Sequence, residues 1–261
     1  ETNVADMHDY TSTLNTMRSY FDSGATLSYE FRKRQLVLFK DAIIKYEDEI
    51  NKALFADLKK SKEETWATET GLLMGEIINA INNLHEWMVP EKVSSTLTTF
   101  PSSAKIYRDP LGVVLIIAPW NYPLQLLLIP LAGAIAAGNC AVLKPSELAP
   151  ATEKIIVKII EKTFAENYVK VITGNGSEVV PALMNQFKFN HIFYTGSTTV
   201  GREIYKLAAN DLIPVTLELG GKSPCIVYED ADIKVAAKRI IMGKFLNAGQ
   251  TCIEPDYILV H

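Results

Sequence analysis

The chain is poor in the residues that build disulfide frameworks and metal centres. It has 3 cysteines and 4 histidines among 261 residues, and no two cysteines stand in a C-x-x-C pair. An odd number of cysteines without such a pair indicates free thiols and a reducing compartment, so we expect a cytoplasmic protein. Because the histidines have no partners at ligand spacing, we predict no metal site.

Apolar runs long enough for a membrane and an excess of basic residues are also missing. The most apolar stretch, residues 111–143, is broken by Pro119, Asn121, Pro123 and Pro130. It never reaches the roughly 20 uninterrupted apolar residues that a membrane span needs, and we expect no signal peptide at the start of the chain. The formal net charge of −4 argues against a nucleic-acid partner, which would require a basic face. With 48% hydrophobic and 21% charged residues, the composition indicates a globular protein with a large core.

Residues 1–105 are predicted to be mainly helical. Apolar side chains recur there at steps of three and four residues, which puts them on one helix face: Leu36, Phe39, Ile43, Tyr46, Ile50 and Leu54. Ser61 followed by Glu64 has the pattern of a capping box. This pair predicts the start of a further helix.

From residue 106 onward, short strands alternate with helices. β-branched apolar runs predict strands at residues 112–117, 141–143, 169–172, 191–194 and 215–217, and the segments between them predict helices at 126–137, 152–164 and 200–209. The alternation is typical of βαβ units. We therefore predict an α/β fold in which N-terminal helices precede a Rossmann-like parallel sheet with helices on both faces. Residues 218–261 are expected to begin a second α/β domain.

Ligands of such a sheet bind at the carboxyl ends of its strands, and three loops are expected there. In the first loop, Asn121 lies between Pro119 and Pro123, which restrict the backbone on both sides. Its amide could donate to a developing oxyanion or could only complete a turn, and the spacing does not decide between the two. Trp120 and Tyr122 could line an apolar site, although core packing is the simpler interpretation of both.

The second loop carries charge at the end of a predicted buried strand. Lys144 ends that strand, and Ser146 and Glu147 follow it. A ribose or phosphate group would explain Lys144, and Glu147 could accept hydrogen bonds from ribose hydroxyls. Ser146 and Glu147 would also suit the N-terminus of the next helix, and both interpretations can hold together.

The third loop joins a strand end to a helix start and is rich in glycine and hydroxyl side chains. Its residues that suit a pyrophosphate at a helix N-terminus are Gly196, Ser197, Val200 and Gly201. The spacing is not that of the G-x-G-x-x-G fingerprint. This loop is therefore weak support by itself.

One cysteine and one carboxylate are candidates for catalysis. Cys252 follows Gly249 closely and has polar neighbours, whereas Cys140 and Cys225 stand in apolar strand segments and are predicted to be buried. A thiolate at Cys252 could attack a carbonyl carbon. Glu218 follows an apolar strand, where desolvation would suit a general base that activates water. A salt-bridged carboxylate at a domain junction is the alternative for Glu218.

Five motifs in this order resemble the aldehyde dehydrogenase superfamily, and most closely its class 3-like branch of fatty and aromatic aldehyde dehydrogenases. The motifs are Pro119-Trp120-Asn121, Lys144-Pro145-Ser146-Glu147, Gly196-Ser197-Thr198-Thr199-Val200-Gly201, Leu217-Glu218-Leu219-Gly220-Gly221-Lys222 and Gly249-Gln250-Thr251-Cys252. Each motif is modest alone, but their order is specific. The resemblance covers essentially all of the chain.

The resemblance implies an enzyme that oxidises an aldehyde, a small-molecule substrate, to a carboxylic acid with NAD or NADP. It implies Cys252 as the nucleophile of a thiohemiacetal and thioester, Asn121 with the Cys252 backbone N–H as the oxyanion hole, and Glu218 as the base for the hydrolytic water. The implied cofactor contacts are Trp120, Lys144, Ser146, Glu147, Gly196, Ser197, Val200, Gly201, Leu219 and Gly220. Glu147 would favour NAD by repelling a 2′-phosphate, and Lys144 beside it could soften that preference. Full-length relatives would be homodimers.

The resemblance also implies a division of the chain. Residues 1–105 would be the N-terminal helical segment of the cofactor domain, residues 106–217 the Rossmann-like NAD(P)-binding domain, and residues 218–261 the beginning of an incomplete catalytic domain. We therefore expect a fragment whose residues 224–261 lack most of their packing partners, and which is poorly folded beyond Leu217 and inactive by itself. A truncated, non-catalytic dinucleotide-binding module is the alternative. An acylating or thioester-reducing relative that shares Cys252 is a third interpretation, against which Glu218 counts because such an enzyme needs no base for hydrolysis.

Glu254 departs from the resemblance, because this branch usually carries a small residue at that position. Glu254 stands two residues after Cys252. A carboxylate that pointed inward would disfavour the thiolate by like-charge repulsion. The side chain could equally point to solvent.

Overall fold

The computed structural model describes residues 9–261, and its N-terminal part is helical as predicted. The helices in that part are α1 (Thr11–Asp22), α2 (Tyr29–Lys45), α3 (Glu47–Leu58), α4 (Lys62–Thr65) and α5 (Gly71–Met88), with a π-helical turn, Trp66–Thr70, between the last two. The apolar positions that were predicted to share a face are all buried: Leu36, Phe39, Ile43, Tyr46, Ile50 and Leu54. The spacing therefore identified the inner face of these helices.

The predicted helix start at Ser61 is confirmed. The Ser61 hydroxyl accepts a hydrogen bond from the Glu64 N–H at 3.2 Å. Ser28 caps α2 in the same way by accepting from the Phe31 N–H at 3.2 Å. A side-chain oxygen in this position satisfies an N–H that has no partner within the helix.

A short antiparallel hairpin separates the helices from the main sheet. It consists of β1 (Glu91–Val93) and β2 (Ala104–Ile106). The sequence patterns did not predict these strands, because three residues are too few for an alternation to be recognised.

The main sheet has five parallel strands in the order β5-β4-β3-β6-β7. They are β3 (Val113–Ile117), β4 (Cys140–Lys144), β5 (Val169–Val171), β6 (His191–Gly196) and β7 (Val215–Leu219). All residues of β3 and β4 are buried, as expected for central strands that are covered on both faces.

Four helices connect these strands: α6 (Gln125–Ala137), α7 (Pro150–Thr163), α8 (Gly176–Gln186) and α9 (Thr198–Ala209). The strand order runs outward from β3 to β5 and then restarts on the other side with β6. Right-handed crossovers therefore put α6 and α7 on one face of the sheet and α8 and α9 on the other. The predicted α/β class is confirmed, and the reversal between β3 and β6 creates a crevice at their carboxyl ends.

Strand β7 is longer than the sequence indicated. Its ladder with β6 continues through the pairs Thr195–Glu218 and Gly196–Leu219. Glu218 therefore lies within β7 and does not follow it, which corrects the predicted strand end. The charged side chain interrupts the apolar run in the sequence, but the backbone pairing with β6 does not depend on it.

The last part of the chain forms β8 (Pro224–Val227), α10 (Ile233–Phe245) and β9 (Tyr257–Val260), and β8 pairs with β9 in parallel. Between residues 224 and 261, Val227 and Asn247 are the buried residues. Helix α10 has no buried residue. Secondary structure is thus present in the segment that was expected to lack packing partners, while most of its side chains face solvent.

None of the helices within residues 9–261 combines the length and hydrophobicity that a bilayer crossing requires. Over the same residues, no group of three or more potential metal ligands is found.

Candidate active site

A cavity of about 590 Å³ lies at the carboxyl ends of β3, β4 and β6, where the strand order reverses. Its wall contains seven of the residues that were predicted to contact a cofactor: Trp120, Lys144, Ser146, Glu147, Gly196, Ser197 and Val200. The three predicted loops therefore converge on one cavity, because the carboxyl ends of parallel strands meet at the same edge of a sheet.

Three other predicted contacts, Gly201, Leu219 and Gly220, do not line this cavity. Gly201 is buried in α9, and a Cβ added there would come within 2.9 Å of Leu219 Cδ2. The glycine thus allows α9 to pack closely on β7. Gly220 is exposed just beyond β7. Gly201 and Leu219 therefore orient α9 from behind the cavity wall.

The first turn of α9 forms the part of the wall that suits an anion. Ser197 caps the helix by accepting from the Val200 N–H at 3.3 Å. The remaining N–H groups of a first turn have no partners within the helix, and the helix dipole makes this end positive. Gly196, just before the cap, lies against the Tyr194 ring, and a side chain at residue 196 would clash with it. The turn can therefore approach a phosphate closely.

Lys144 and Glu147 form an ion pair on the opposite wall. Lys144 Nζ lies 2.9 Å from Glu147 Oε2 and donates to the Pro145 carbonyl at 2.6 Å. Glu147 Oε1 accepts the Gly176 N–H at 2.8 Å. Partial burial by itself raises the pKa of Glu147, but the hydrogen bond from Gly176 and the contact with Lys144 outweigh it and hold that pKa below its ordinary value. Glu147 is therefore a carboxylate at neutral pH, and the buried Lys144 charge is matched by a partner.

The loop after β3 contacts the segment that precedes Cys252. Asn121 Nδ2 donates to the Gln250 carbonyl at 2.7 Å, and the Asn121 carbonyl accepts from Asn247 Nδ2 at 2.8 Å. Tyr122 and Thr251 share a hydrogen bond between their hydroxyls. Burial raises the pKa of Tyr122, so its hydroxyl stays protonated near neutral pH. Two segments that are distant in sequence are thus joined by three hydrogen bonds.

The three cysteines differ in accessibility. Cys252 is exposed, Cys225 is half-buried in β8, and Cys140 is buried in β4. Burial raises the pKa of Cys140 to about 12. A thiolate is the reactive form of cysteine, so Cys140 is inert and Cys252 is the accessible thiol. The prediction of burial is confirmed for Cys140 and is only partly met by Cys225.

Glu218 differs from its predicted environment. Its side chain is exposed, so the desolvation that was expected at the strand end is absent. The segments that follow Glu218 and Cys252 are nevertheless connected. Lys222 Nζ lies 2.9 Å from Asp256 Oδ2, and the Asp256 N–H donates to the Ser223 carbonyl at 3.3 Å. The structure therefore joins these two segments, and Glu218 itself faces water.

Glu254 is largely buried and has a cation partner. Its side chain is 11% exposed and its Oε1 lies 2.7 Å from Lys244 Nζ. Its Oε2 accepts the Thr251 N–H at 3.4 Å. The carboxylate is thus neither unpaired nor open to solvent.

Sequence reasoning missed several residues of the site. Asn175, Gly176 and Leu148 line the cavity, and Asn247 and Thr251 contact the loop after β3. The glycine at residue 176, at the start of α8, was a usable signal for the first group. Asn247 had no such signal, because its importance comes from a contact with a residue far away in the chain.

Comparison with known proteins agrees with these observations. Residues 1–261 match the family model described as "Aldehyde dehydrogenase family". The 4,4'-diaponeurosporen-aldehyde dehydrogenase of Staphylococcus aureus is 49% identical over 244 residues, which are 94% of this chain and 53% of that protein. Aldehyde dehydrogenase family 3 member H1 of Arabidopsis thaliana is 48% identical over 244 residues, which are 93% of this chain and 50% of that protein. The chain thus spans about half the length of the curated relatives it matches.

Solved structures show the same similarity. The substrate-bound state of Staphylococcus aureus AldH has a TM-score of 0.93 and 46% identity, and the match covers 96% of this chain and 54% of that one. A betaine aldehyde dehydrogenase from Staphylococcus aureus, solved in complex with NAD+, has a TM-score of 0.87 and 30% identity, with coverage of 98% and 51%. The family match, the class 3 relatives and the shared fold lead to one conclusion: the chain belongs to the aldehyde dehydrogenase family, in its class 3-like branch.

Proposed function

We propose that the protein oxidises an aldehyde to a carboxylic acid with NAD, through covalent intermediates on Cys252. The observation that carries this proposal is the 2.7 Å hydrogen bond from Asn121 Nδ2 to the Gln250 carbonyl. It ties a fixed amide donor to the turn that bears an exposed thiol. A nucleophile beside a fixed donor is what attack on a carbonyl group needs. Membership of the aldehyde dehydrogenase family supports the same reaction.

Cys252 is the proposed nucleophile. Its thiolate forms a bond to the aldehyde carbon, and the carbonyl π electrons move onto the oxygen. The oxyanion of the resulting thiohemiacetal accepts hydrogen bonds from the Asn121 amide and the Cys252 backbone N–H, which stabilise the developing charge. Cys252 holds the substrate carbon as a thiohemiacetal before the oxidation and as a thioester after it.

Glu218 is the proposed base of the hydrolytic half of the reaction. It takes a proton from a water molecule whose oxygen then attacks the thioester carbon. The C–S bond breaks, and the products are the carboxylic acid and the Cys252 thiol. The exposure of Glu218 supports access of water to this carboxylate.

The residues of the cavity fit a dinucleotide. Thr195 Oγ1 is buried and has no hydrogen-bond partner within residues 9–261, so it can bond to a polar ligand atom. The α9 N-terminus at Ser197 suits the pyrophosphate, and Glu147 suits ribose hydroxyls. When bound, NAD would supply the hydride acceptor for the oxidation. Because Glu147 is ionised and already paired with Lys144, we propose that the protein prefers NAD to NADP.

An assay of the complete polypeptide tests the function. The protein is mixed with an aldehyde and NAD, and NADH absorbance is followed together with the intact mass of the protein. Cys252→Ala should abolish NADH formation and the covalent acyl adduct while NAD binding persists in calorimetry. Cys225→Ala is the matched control and should keep both signals. An acyl adduct on the Cys252→Ala protein would contradict the assigned nucleophile.

A non-catalytic dinucleotide-binding module is the second candidate. The exposed faces of α10 and β9 favour it, because a segment with so little burial is a weak scaffold for a nucleophile. The same experiment separates the two functions. Calorimetric NAD binding by the unmodified protein, without NADH formation for any aldehyde tested, would support the module.

Two further proposals concern the compartment in which the protein resides and its oligomeric state. Free cysteines support a reducing compartment such as the cytoplasm. The homodimer that the family resemblance implies is checked by light scattering coupled to size-exclusion chromatography.

A further inference from the structure

A buried ion pair lies beneath the loop that follows β3. Lys60 Nζ is 2.7 Å from Glu69 Oε1, and the two side chains are 1% and 0% exposed. Lys60 follows α3, and Glu69 belongs to the π-helical turn between α4 and α5. A buried pair is weak support for stability, because desolvation of the two charges offsets their attraction. π-Helical turns, in addition, occur frequently at functional sites.

The remaining contacts of this pair all go to the loop after β3 and the start of α6. Glu69 Oε2 accepts the Leu124 N–H at 3.2 Å and the Gln125 N–H at 2.9 Å. Lys60 Nζ lies 3.4 Å from the Asn121 carbonyl oxygen and 4.2 Å from the centroid of the Tyr122 ring. The two charges therefore hold both ends of the segment from residue 121 to residue 125.

The Asn121 carbonyl connects this pair to the segment that bears Cys252. It accepts from Asn247 Nδ2 at 2.8 Å as well as from Lys60. Asn247 and Ala248 have left-handed backbone conformations with φ of 53° and 56°. Such conformations are uncommon for residues other than glycine and asparagine, so the one at Ala248 in particular persists because surrounding contacts determine it. The bond to the Asn121 carbonyl is one of those contacts.

We propose that Lys60 and Glu69 are positioning residues, which hold the Asn121 carbonyl in the place where Asn247 docks and thereby orient the turn that carries Cys252. This inference rests on the proposed function only for its kinetic consequence. The structural consequence, an ordered turn at residues 246–252, can be measured without any turnover.

Variants Glu69→Gln and Lys60→Met of the complete polypeptide test the inference. Hydrogen–deuterium exchange should become about threefold faster or more in the peptide covering residues 246–252, because local order there depends on the Asn121 carbonyl. The value of kcat should fall about tenfold or more while the Kd for NAD stays within about twofold, since small displacements of reacting groups are costly to the chemical step. The double variant Lys60→Met/Glu69→Gln leaves no unpaired buried charge and keeps the test usable if a single variant does not fold.

Two controls separate positioning from stability. Lys158→Met/Glu49→Gln makes the same chemical change in the exposed pair between α7 and α3, which are joined at 2.7 Å, and should change neither exchange nor kcat. Ile156→Ala opens a cavity in the core of α7 and lowers the melting temperature without touching the loop. It should leave exchange at residues 246–252 and kcat within about twofold at temperatures well below melting.

The outcomes are distinguishable. Unchanged exchange at residues 246–252 in folded Lys60 and Glu69 variants would overturn the positioning role, as would a kcat loss no larger than that of Ile156→Ala. If the unmodified protein makes no NADH but the exchange of the turn responds to the Lys60 and Glu69 changes, the proposed function fails and the positioning role stands.

Discussion

The side-chain amide of Asn121 donates to the backbone carbonyl of Gln250 over 2.7 Å, although 129 positions separate the two residues in the chain. The bond joins the loop after β3 to the turn that precedes Cys252. Since this bond already holds the Asn121 side chain in place, the amide loses little conformational freedom when a ligand binds. A donor that is fixed before the reaction stabilises developing charge without reorganisation.

Asn121→Ala should therefore lower kcat by about 10²–10³-fold, because it removes a donor to the oxyanion. Steady-state kinetics of aldehyde oxidation is the measurement. Asn82→Ala, an exposed change in α5, is the control and should leave kcat unchanged. A kcat for Asn121→Ala within about threefold of the unmodified enzyme would remove Asn121 from the oxyanion hole.

Glu147→Gln should shift the cofactor preference toward NADP. The variant removes the charge that repels a 2′-phosphate and frees Lys144, whose Nζ otherwise lies 2.9 Å from the carboxylate. We expect kcat/KM with NAD, divided by kcat/KM with NADP, to fall about tenfold, because one repulsive charge is lost. Glu178→Gln, an exposed carboxylate in the first turn of α8, is the control. An unchanged ratio in Glu147→Gln would locate the discrimination elsewhere.

Iodoacetamide should modify the three thiols in the order of their exposure. Cys252 is exposed and should react first, Cys225 more slowly and Cys140 last. Burial raises the pKa of Cys140 to about 12, so only about one molecule in a thousand carries a thiolate there at pH 9. Raising the pH through the neutral range should therefore leave Cys140 unmodified. Peptide mass spectrometry reads the order, and early labelling of Cys140 in the folded protein would contradict it.

Lys244→Met should slow the alkylation of Cys252. Without Lys244, whose Nζ lies 2.7 Å from Glu254 Oε1, the Glu254 carboxylate has no cation partner, and its negative charge in the turn two residues from Cys252 should make the thiol about threefold or more slower to react, because like charges repel. Glu254→Ala in the same background should restore the rate, since the repelling charge is gone. A rate for Lys244→Met equal to that of the unmodified protein, or no recovery in the double variant, would show that Glu254 does not act on Cys252.

Local patterns predicted the fold well because local physics decides much of it. The apolar spacing around Phe39 follows from helix geometry, and the helix start at Ser61 follows from an unsatisfied N–H. The convergence of Lys144 and Ser197 on one cavity follows from parallel strands that present their carboxyl ends together. The end of β7 was predicted too early, since backbone pairing with β6 continued past the apolar run.

By itself, the sequence determined the order of strands and helices, the buried faces and the loops that line the cavity, because each of these depends on residues that are close together in the chain. Only the tertiary structure decided that Glu218 faces water, that Glu254 pairs with Lys244, and that a buried pair at Lys60 reaches the Asn121 carbonyl. Hydrogen bonds and ion pairs act over a few ångströms of space. Whether two residues come that close is decided by the packing of the elements that carry them.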